Sequence, residues 1–243
     1  MSAGRDSAVR IALVFPELLG TYGDGGNAVV LAQRLRWRGL PAEVVSVGMD
    51  DPLPLECDIY VLGGGEDAPQ TFATARLAEV ELAAAVDSGA VVFAVCAGLQ
   101  VLGQSFTGSD GRQQAGLGIL DCTTRPKGER QIGELVVAPT AFDLPLLTGF
   151  ENHGGITELG PGAAPLGRVQ SGHGNGTGGV EGVVSGRVLG TYLHGPALAR
   201  NPALADLLLS WIVGQLEPLD EPLIDRLRAE RLIAALGARS GRE

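Results

Sequence analysis

Four short apolar runs in the first hundred residues, interleaved with helical patterns, constrain the fold of this chain more than any other feature. They fall at residues 11–15, 43–47, 59–62 and 90–95. Runs of this length without polar alternation have the pattern of strands covered on both faces. Between them, residues 27–38 place Ala28, Leu31 and Leu35 on one helical face. The Ala-rich stretch 76–86 reads as a second helix, stopping at Asp87-Ser88-Gly89. Residues 97–102 are helical and follow the fourth run with no intervening loop. This alternation predicts an α/β fold of three layers, a mostly parallel sheet with helices on both faces, in a single domain. Such sheets bind ligands at the carboxyl ends of their strands.

The second half changes character. Glycine supplies 14 of the 42 residues from 154 to 195, yet apolar runs at 180–184 and 187–193 interrupt it. Short strands and tight turns are expected there. Asn201-Pro202 has the chemistry of an N-cap and a first helical position. The helix it opens would bury Leu204, Leu207, Leu208, Trp211 and Ile212. A last helix is expected over 222–236. The main domain is read as 10–215, with 216–243 as a C-terminal helix packed on it or appended to it.

The formal charge of −10 speaks against nucleic acid or an anionic membrane surface as the main partner, since both need clustered Lys and Arg. No apolar run reaches 18 residues, so no membrane-spanning helix is expected. The first residues lack the apolar core of a signal peptide, and the three cysteines form no framework, so a cytoplasmic location is expected. The three histidines have no metal-ligand spacing, so no metal site is expected.

The strongest chemical signal is Phe93-Ala94-Val95-Cys96-Ala97-Gly98-Leu99-Gln100. A buried strand runs into a helix with a nucleophile at the junction and small residues beside it, the logic of a nucleophile elbow. Cys57 and Cys122 lack this context and read as core. The second signal is Gly190-Thr191-Tyr192-Leu193-His194-Gly195-Pro196, where a strand ends in a histidine suited to partner a thiolate near neutral pH. His173, in a glycine-rich loop, reads as structural. The third is Gly63-Gly64-Gly65-Glu66-Asp67 at a strand end, where bare backbone can approach a ligand and offer N–H groups. It is no phosphate loop, because no Gly-Lys-Ser/Thr follows.

Together these segments resemble the class I glutamine amidotransferases of the cobyric-acid-synthase-like branch. The resemblance extends to the GatD amidotransferase subunits of lipid II isoglutaminyl synthase. It is carried by Tyr22-Gly23-Asp24-Gly25-Gly26-Asn27, by Gln33-Arg34-Leu35-Arg36-Trp37-Arg38-Gly39, by Phe150-Glu151-Asn152-His153-Gly154-Gly155, and by His194-Gly195-Pro196 with Arg200-Asn201-Pro202. It implies a glutaminase subunit in a heterodimer with a MurT-like Mur ligase. That ligase would use ATP and Mg to activate the D-glutamate α-carboxyl of lipid II and form D-isoglutamine in peptidoglycan synthesis. No cofactor is expected on this chain. The resemblance implies Cys96 as nucleophile and His194 as its acid–base partner. It gives the N–H of Ala97 and that of Gly64 or Gly65 to the oxyanion, and Arg130 to the glutamine α-carboxylate, which a guanidinium can grip bidentately.

Two departures stand out. Ala94 occupies a position where many of these enzymes have Gly. Pro196 stands where they carry the Glu that orients the histidine, so His194 needs an acid from Asp24, Asp67 or Glu151, or from the partner. A partner that completes the dyad, by supplying an acid or by ordering the loops at 63–67 and 151–155, is the expectation. The competing readings are amidation in cobyric or cobyrinic acid synthesis, a Cys/His hydrolase on the same fold, and an interaction subunit with a decayed site.

Overall fold

The computed structural model describes residues 7–80 and 82–237. The chain begins with β1 (Val9–Val14), α1 (Gly26–Trp37), β2 (Ala42–Val47), β3 (Ile59–Leu62), α2 (Asp67–Ala78), α3 (Leu82–Asp87), β4 (Val91–Val95) and α4 (Ala97–Leu102). A second group follows: β5 (Ser105–Thr107), β6 (Gln113–Ala115), β7 (Cys122–Pro139), β8 (Leu147–Leu159), β9 (Gly167–Ser171) and β10 (Val180–Glu181). The chain then returns through β11 (Val183–Ser185) and β12 (Val188–Thr191), and closes with α5 (Ala197–Arg200), α6 (Pro202–Val213) and α7 (Pro222–Gly237).

The first sheet has the order β11-β12-β4-β3-β1-β2 and is parallel except at its β11 edge. Every residue of β3 and β4 is buried, as continuous apolar runs require. The mixed α/β class and parallel sheet expected from the sequence are present. A second sheet was not expected. Its order is β10-β9-β7-β5-β6 with β8 on β7, and its pairings are antiparallel except β5 with β7. The apolar run at 180–184 is not one strand. It divides at Gly182, with β10 in the second sheet and β11 in the first.

Three helix expectations are also corrected. The helix read at 76–86 is two elements. α2 begins at Asp67, accommodates Pro69 in its first turn and ends at Ala78, before α3. Asn201 makes no side-chain cap. Its side chain instead accepts from the Thr148 N–H and donates to the carbonyls of Thr148 and Ala197, tying the start of α6 to β8. On α6, Leu204 and Leu208 are buried with Ala205 and Leu209, while Leu207, Trp211 and Ile212 are half-buried. α7 packs through Ala235 and through Arg228, whose guanidinium donates to the carbonyls of Arg200 and Leu146. Residues 238–243 lie outside the described residues.

The close approach that positions α4 is at Gly98. A Cβ there would lie 2.8 Å from the Leu62 Cβ and 2.9 Å from the Leu62 oxygen, while the Gly98 N–H donates to the Gly63 carbonyl at 3.1 Å. Gly98→Ala is therefore expected to destabilise the fold by about 1–3 kcal/mol, the range for overpacking a filled core. Chemical unfolding checks this: a lower denaturant midpoint at unchanged slope is expected. An unchanged midpoint would show that α4 has room to move away from β3.

Candidate active site

Parallel pairing of β4 with β12 brings two distant segments to one edge. Ala94 faces Gly190 and Val95 faces Thr191, so the residues that follow each strand emerge together. Cys96 leaves β4 with φ +51°, in the left-handed region that non-glycine residues seldom occupy. Its N–H donates to the Thr191 carbonyl at 2.8 Å, which fixes the elbow to β12. The next residue, Ala97, opens α4, where a first-turn N–H has no intrahelical acceptor.

His194 is fully buried three residues beyond β12. Its backbone bridges to Phe150 of β8, with its N–H donating to the Phe150 carbonyl at 2.9 Å. The imidazole lies edge-on to Tyr22, with ring centroids 4.8 Å apart, and against Phe150 at 5.3 Å. Its Nδ1 lies 3.0 Å from Oδ2 of Asp24, which is also fully buried. The other ring nitrogen, Nε2, is buried without a hydrogen-bond partner among the described residues. Burial disfavours the imidazolium, but bonding to Asp24 and the neighbouring Cys96 outweigh it and push the His194 pKa up from 6.5 to about 9. An imidazolium in contact with a cysteine is the counter-ion that a nucleophilic thiolate needs.

The orienting acid therefore comes from within this chain, and the expectation that a partner supplies it is corrected. Local packing explains how. Pro196 sits against α1, close enough that a Cβ on Gly26 would lie 2.4 Å from its Cγ. Asn27 bridges the same junction, donating to the Asp24 carbonyl and accepting the Leu198 N–H, each at 2.9 Å. The segment after His194 thus docks on the turn that carries Asp24. The other two candidates are engaged elsewhere. Asp67 accepts the Ser109 N–H, and Glu151 accepts from the N–H and Nδ1 of His173 and from the Gly174 N–H.

The glycine loop closes the site from β3. A Cβ on Gly64 would lie 2.8 Å from the His194 ring, so only glycine fits. The Gly64 N–H donates to Asp24 Oδ2 at 2.9 Å. It is therefore committed to the acid, whereas the Gly65 N–H has no acceptor among the described residues. Gly65, Cys96 and Ala97 line a cleft of about 140 Å³ together with Gln100, His153 and Arg130. Arg130 reaches it from an irregularity in the β7–β8 ladder, where Pro126 faces Gly155 but Gln131 faces His153. Four residues, 127–130, bulge there opposite Gly154 alone. Its guanidinium donates to Asn152 Oδ1 and, at 2.8 Å, to the Tyr22 hydroxyl. Tyr22, Asn152, Gln100 and His153 were not singled out as site residues from the sequence, although all four lie in the segments that carried the resemblance.

Comparisons with known proteins identify the family and the fold. The CobB/CobQ-like glutamine amidotransferase domain matches residues 10–202. The chain is 38% identical over 195 residues to the GatD subunit of the glutamine-hydrolysing lipid II isoglutaminyl synthase of Staphylococcus aureus, covering 79% of each chain. It is 35% identical over 207 residues to the corresponding subunit of Streptococcus pneumoniae, covering 83% of this chain and 79% of that one. A cobyric acid synthase of Sphingopyxis alaskensis is 32% identical over 179 residues, which are 70% of this chain but 35% of that one. Among solved structures, a glutamine amidotransferase shares the fold with a TM-score of 0.55 at 21% identity, over 84% of this chain and 98% of that one.

Asp24→Asn keeps the shape of the acid and removes its charge. Turnover is expected to fall more than about tenfold, but by less than the ~10⁴-fold loss seen when a serine triad loses its Asp, because a thiol depends less on its base. The linkage has a definite sign. With the His194 pKa raised from 6.5 to about 9, the stability contributed by the pair is fully present below about 6.5 and is lost as pH rises through about 9. Unfolding free energy should decline across that window in the wild type and less steeply in the variant. Equal slopes, with wild-type turnover in the variant, would contradict the pairing.

Proposed function

The chain belongs to the CobB/CobQ-like glutamine amidotransferases, and on that premise we propose that it is the glutamine-hydrolysing subunit of a lipid II isoglutaminyl synthase. The single observation that carries the chemistry is the Asp24–His194 pair beside Cys96 at the elbow. The two GatD subunits, matched over most of their length, support this acceptor over cobyric acid.

In this reading the Cys96 thiolate attacks the side-chain amide carbon of glutamine. Charge develops on the carbonyl oxygen, where the N–H groups of Ala97 and Gly65 would receive it. His194 then gives its Nε2 proton to the departing nitrogen as the C–N bond breaks, and ammonia leaves a thioester on Cys96. The same nitrogen next takes a proton from water, which attacks the thioester and releases glutamate. Asp24 holds the imidazole with Nδ1–H bonded and Nε2 free through both steps. Arg130 would bind the α-carboxylate, exchanging Asn152 and Tyr22 for a bidentate pair.

The ammonia would be consumed by a MurT-like ligase in a heterodimer, with ATP and Mg bound on that partner. It would amidate the D-glutamate α-carboxyl of lipid II at the cytoplasmic face. Among the described residues, no helix is long and apolar enough to cross a membrane.

Glutamate release by the purified chain tests the reading. Cys96→Ala should abolish it without loss of fold, whereas Cys57→Ala and Cys122→Ala should keep it. Arg130→Ala should raise the KM for glutamine severalfold, the loss of a charge-assisted, bidentate contact from a guanidinium that is half-exposed at the cleft. Arg130→Lys should recover part of this, lacking the fork. An unchanged KM in Arg130→Ala would remove Arg130 from the site.

A further inference from the structure

Glu181 is the last residue of β10, at the point where the chain leaves the second sheet for the first. It is fully buried. A buried carboxyl is costly unless its partners compensate. Here the compensation is directed at one place. Oε1 accepts the Thr191 hydroxyl at 2.5 Å and the Tyr192 N–H at 2.8 Å. Oε2 has no partner among the described residues.

Thr191 connects this carboxyl to both reacting side chains. Its carbonyl accepts the Cys96 N–H at 2.8 Å, and its hydroxyl oxygen accepts the Leu193 N–H at 3.0 Å. Tyr192 and Leu193 are the only residues between Thr191 and His194. The backbone entering His194 is thus pinned at one end by Glu181 and at the other by Phe150. We propose that Glu181 is a positioning residue for both Cys96 and His194, acting through Thr191 and Tyr192 as a buried acceptor. The inference rests on the reading of Cys96 and His194 as nucleophile and acid–base group.

The role asks for an acceptor oxygen, not for a charge. Burial pushes the Glu181 carboxyl up to about 7, so neutral and ionised forms coexist near neutral pH, and both keep Oε1 as an acceptor. Glu181→Gln preserves that oxygen, Glu181→Met removes it at similar length, and Thr191→Val removes only the hydroxyl.

The test measures kcat and KM for glutamine, together with the rate of Cys96 alkylation by iodoacetamide at pH 7, in the purified full chain. Alkylation needs no glutamine and reports on Cys96, because burial raises the pKa of both other thiols, Cys57 and Cys122. In Glu181→Met, kcat should fall about tenfold or more, equivalent to about 1.4 kcal/mol of barrier. KM should stay within about twofold, and alkylation should slow in step with kcat. Glu181→Gln should retain at least about a third of wild-type kcat, since the acceptor is kept. If Glu181→Met fails to fold, Thr191→Val is read in its place, since it cuts the Thr191 half of the link while leaving the Tyr192 half. Wild-type kcat and alkylation in both the Met and Val variants would overturn the proposal, as would a Gln variant as impaired as the Met variant. A wild-type chain that alkylates at Cys96 but releases no glutamate would overturn the proposed function instead, while the alkylation rates still decide the role of Glu181.

Discussion

The hydrogen bond between Asp24 and His194 is the constraint on which the site depends. Both side chains are fully buried, and Nδ1 of His194 lies 3.0 Å from Oδ2 of Asp24. Removing the carboxylate would leave the imidazole free to rotate between Tyr22 and Phe150 and to adopt the wrong tautomer. With it, Nδ1 is committed and Nε2 is left for the chemistry. The Gly64 N–H donates to the same carboxylate oxygen, so the glycine loop, the acid and the base form one hydrogen-bonded unit. This explains how a chain with Pro196 after its histidine still has an oriented base. The proline packs on α1 and brings the acid-bearing turn alongside.

The two sheets divide the remaining work. The parallel sheet places Cys96 and His194, because register between β4 and β12 brings the ends of the two strands together. The antiparallel sheet supplies much of the rest of the cleft lining. Its β7–β8 ladder bulges at 127–130 and delivers Arg130 to the cleft, while β8 presents Phe150, Asn152 and His153. His153 stacks on Tyr192 with ring centroids 3.9 Å apart and donates from Nδ1 to the Gly155 carbonyl. Contacts of this kind tie β8 to the segment that carries His194, so the cleft wall and the imidazole share the same packing.

Much of this was legible in the sequence, for identifiable reasons. β3, β4 and α4 are encoded locally, by continuous apolar runs and an abrupt change of period at Cys96. The same local signal placed Cys96 at the turn between β4 and α4 and His194 just beyond β12, where the structure has them. The β7–β8 hairpin was not legible, because its strands mix Thr, Arg, Glu and Gly and are interrupted by a bulge that breaks the alternation. The division of the run at 180–184 is also invisible locally, since the apolar residues on either side of Gly182 serve different sheets. Asp24 could only be named as one of three acids. It lies 170 residues from its partner, and no periodicity reports such a contact. Asn201 looked like a helix cap because its neighbours fit one, yet tertiary demand from the Thr148 backbone claimed its amide.

The most direct test of the account is the titration of the His194 ring in the isolated wild-type chain, followed by NMR of its imidazole nitrogens with no partner and no substrate present. A buried histidine held by a buried carboxylate should titrate near pH 9, well above its ordinary 6.5, with Nδ1 remaining protonated throughout. A midpoint at or below 6.5, or a neutral form protonated on Nε2, would show that Asp24 does not hold the ring and that the chain lacks an internal orienting acid.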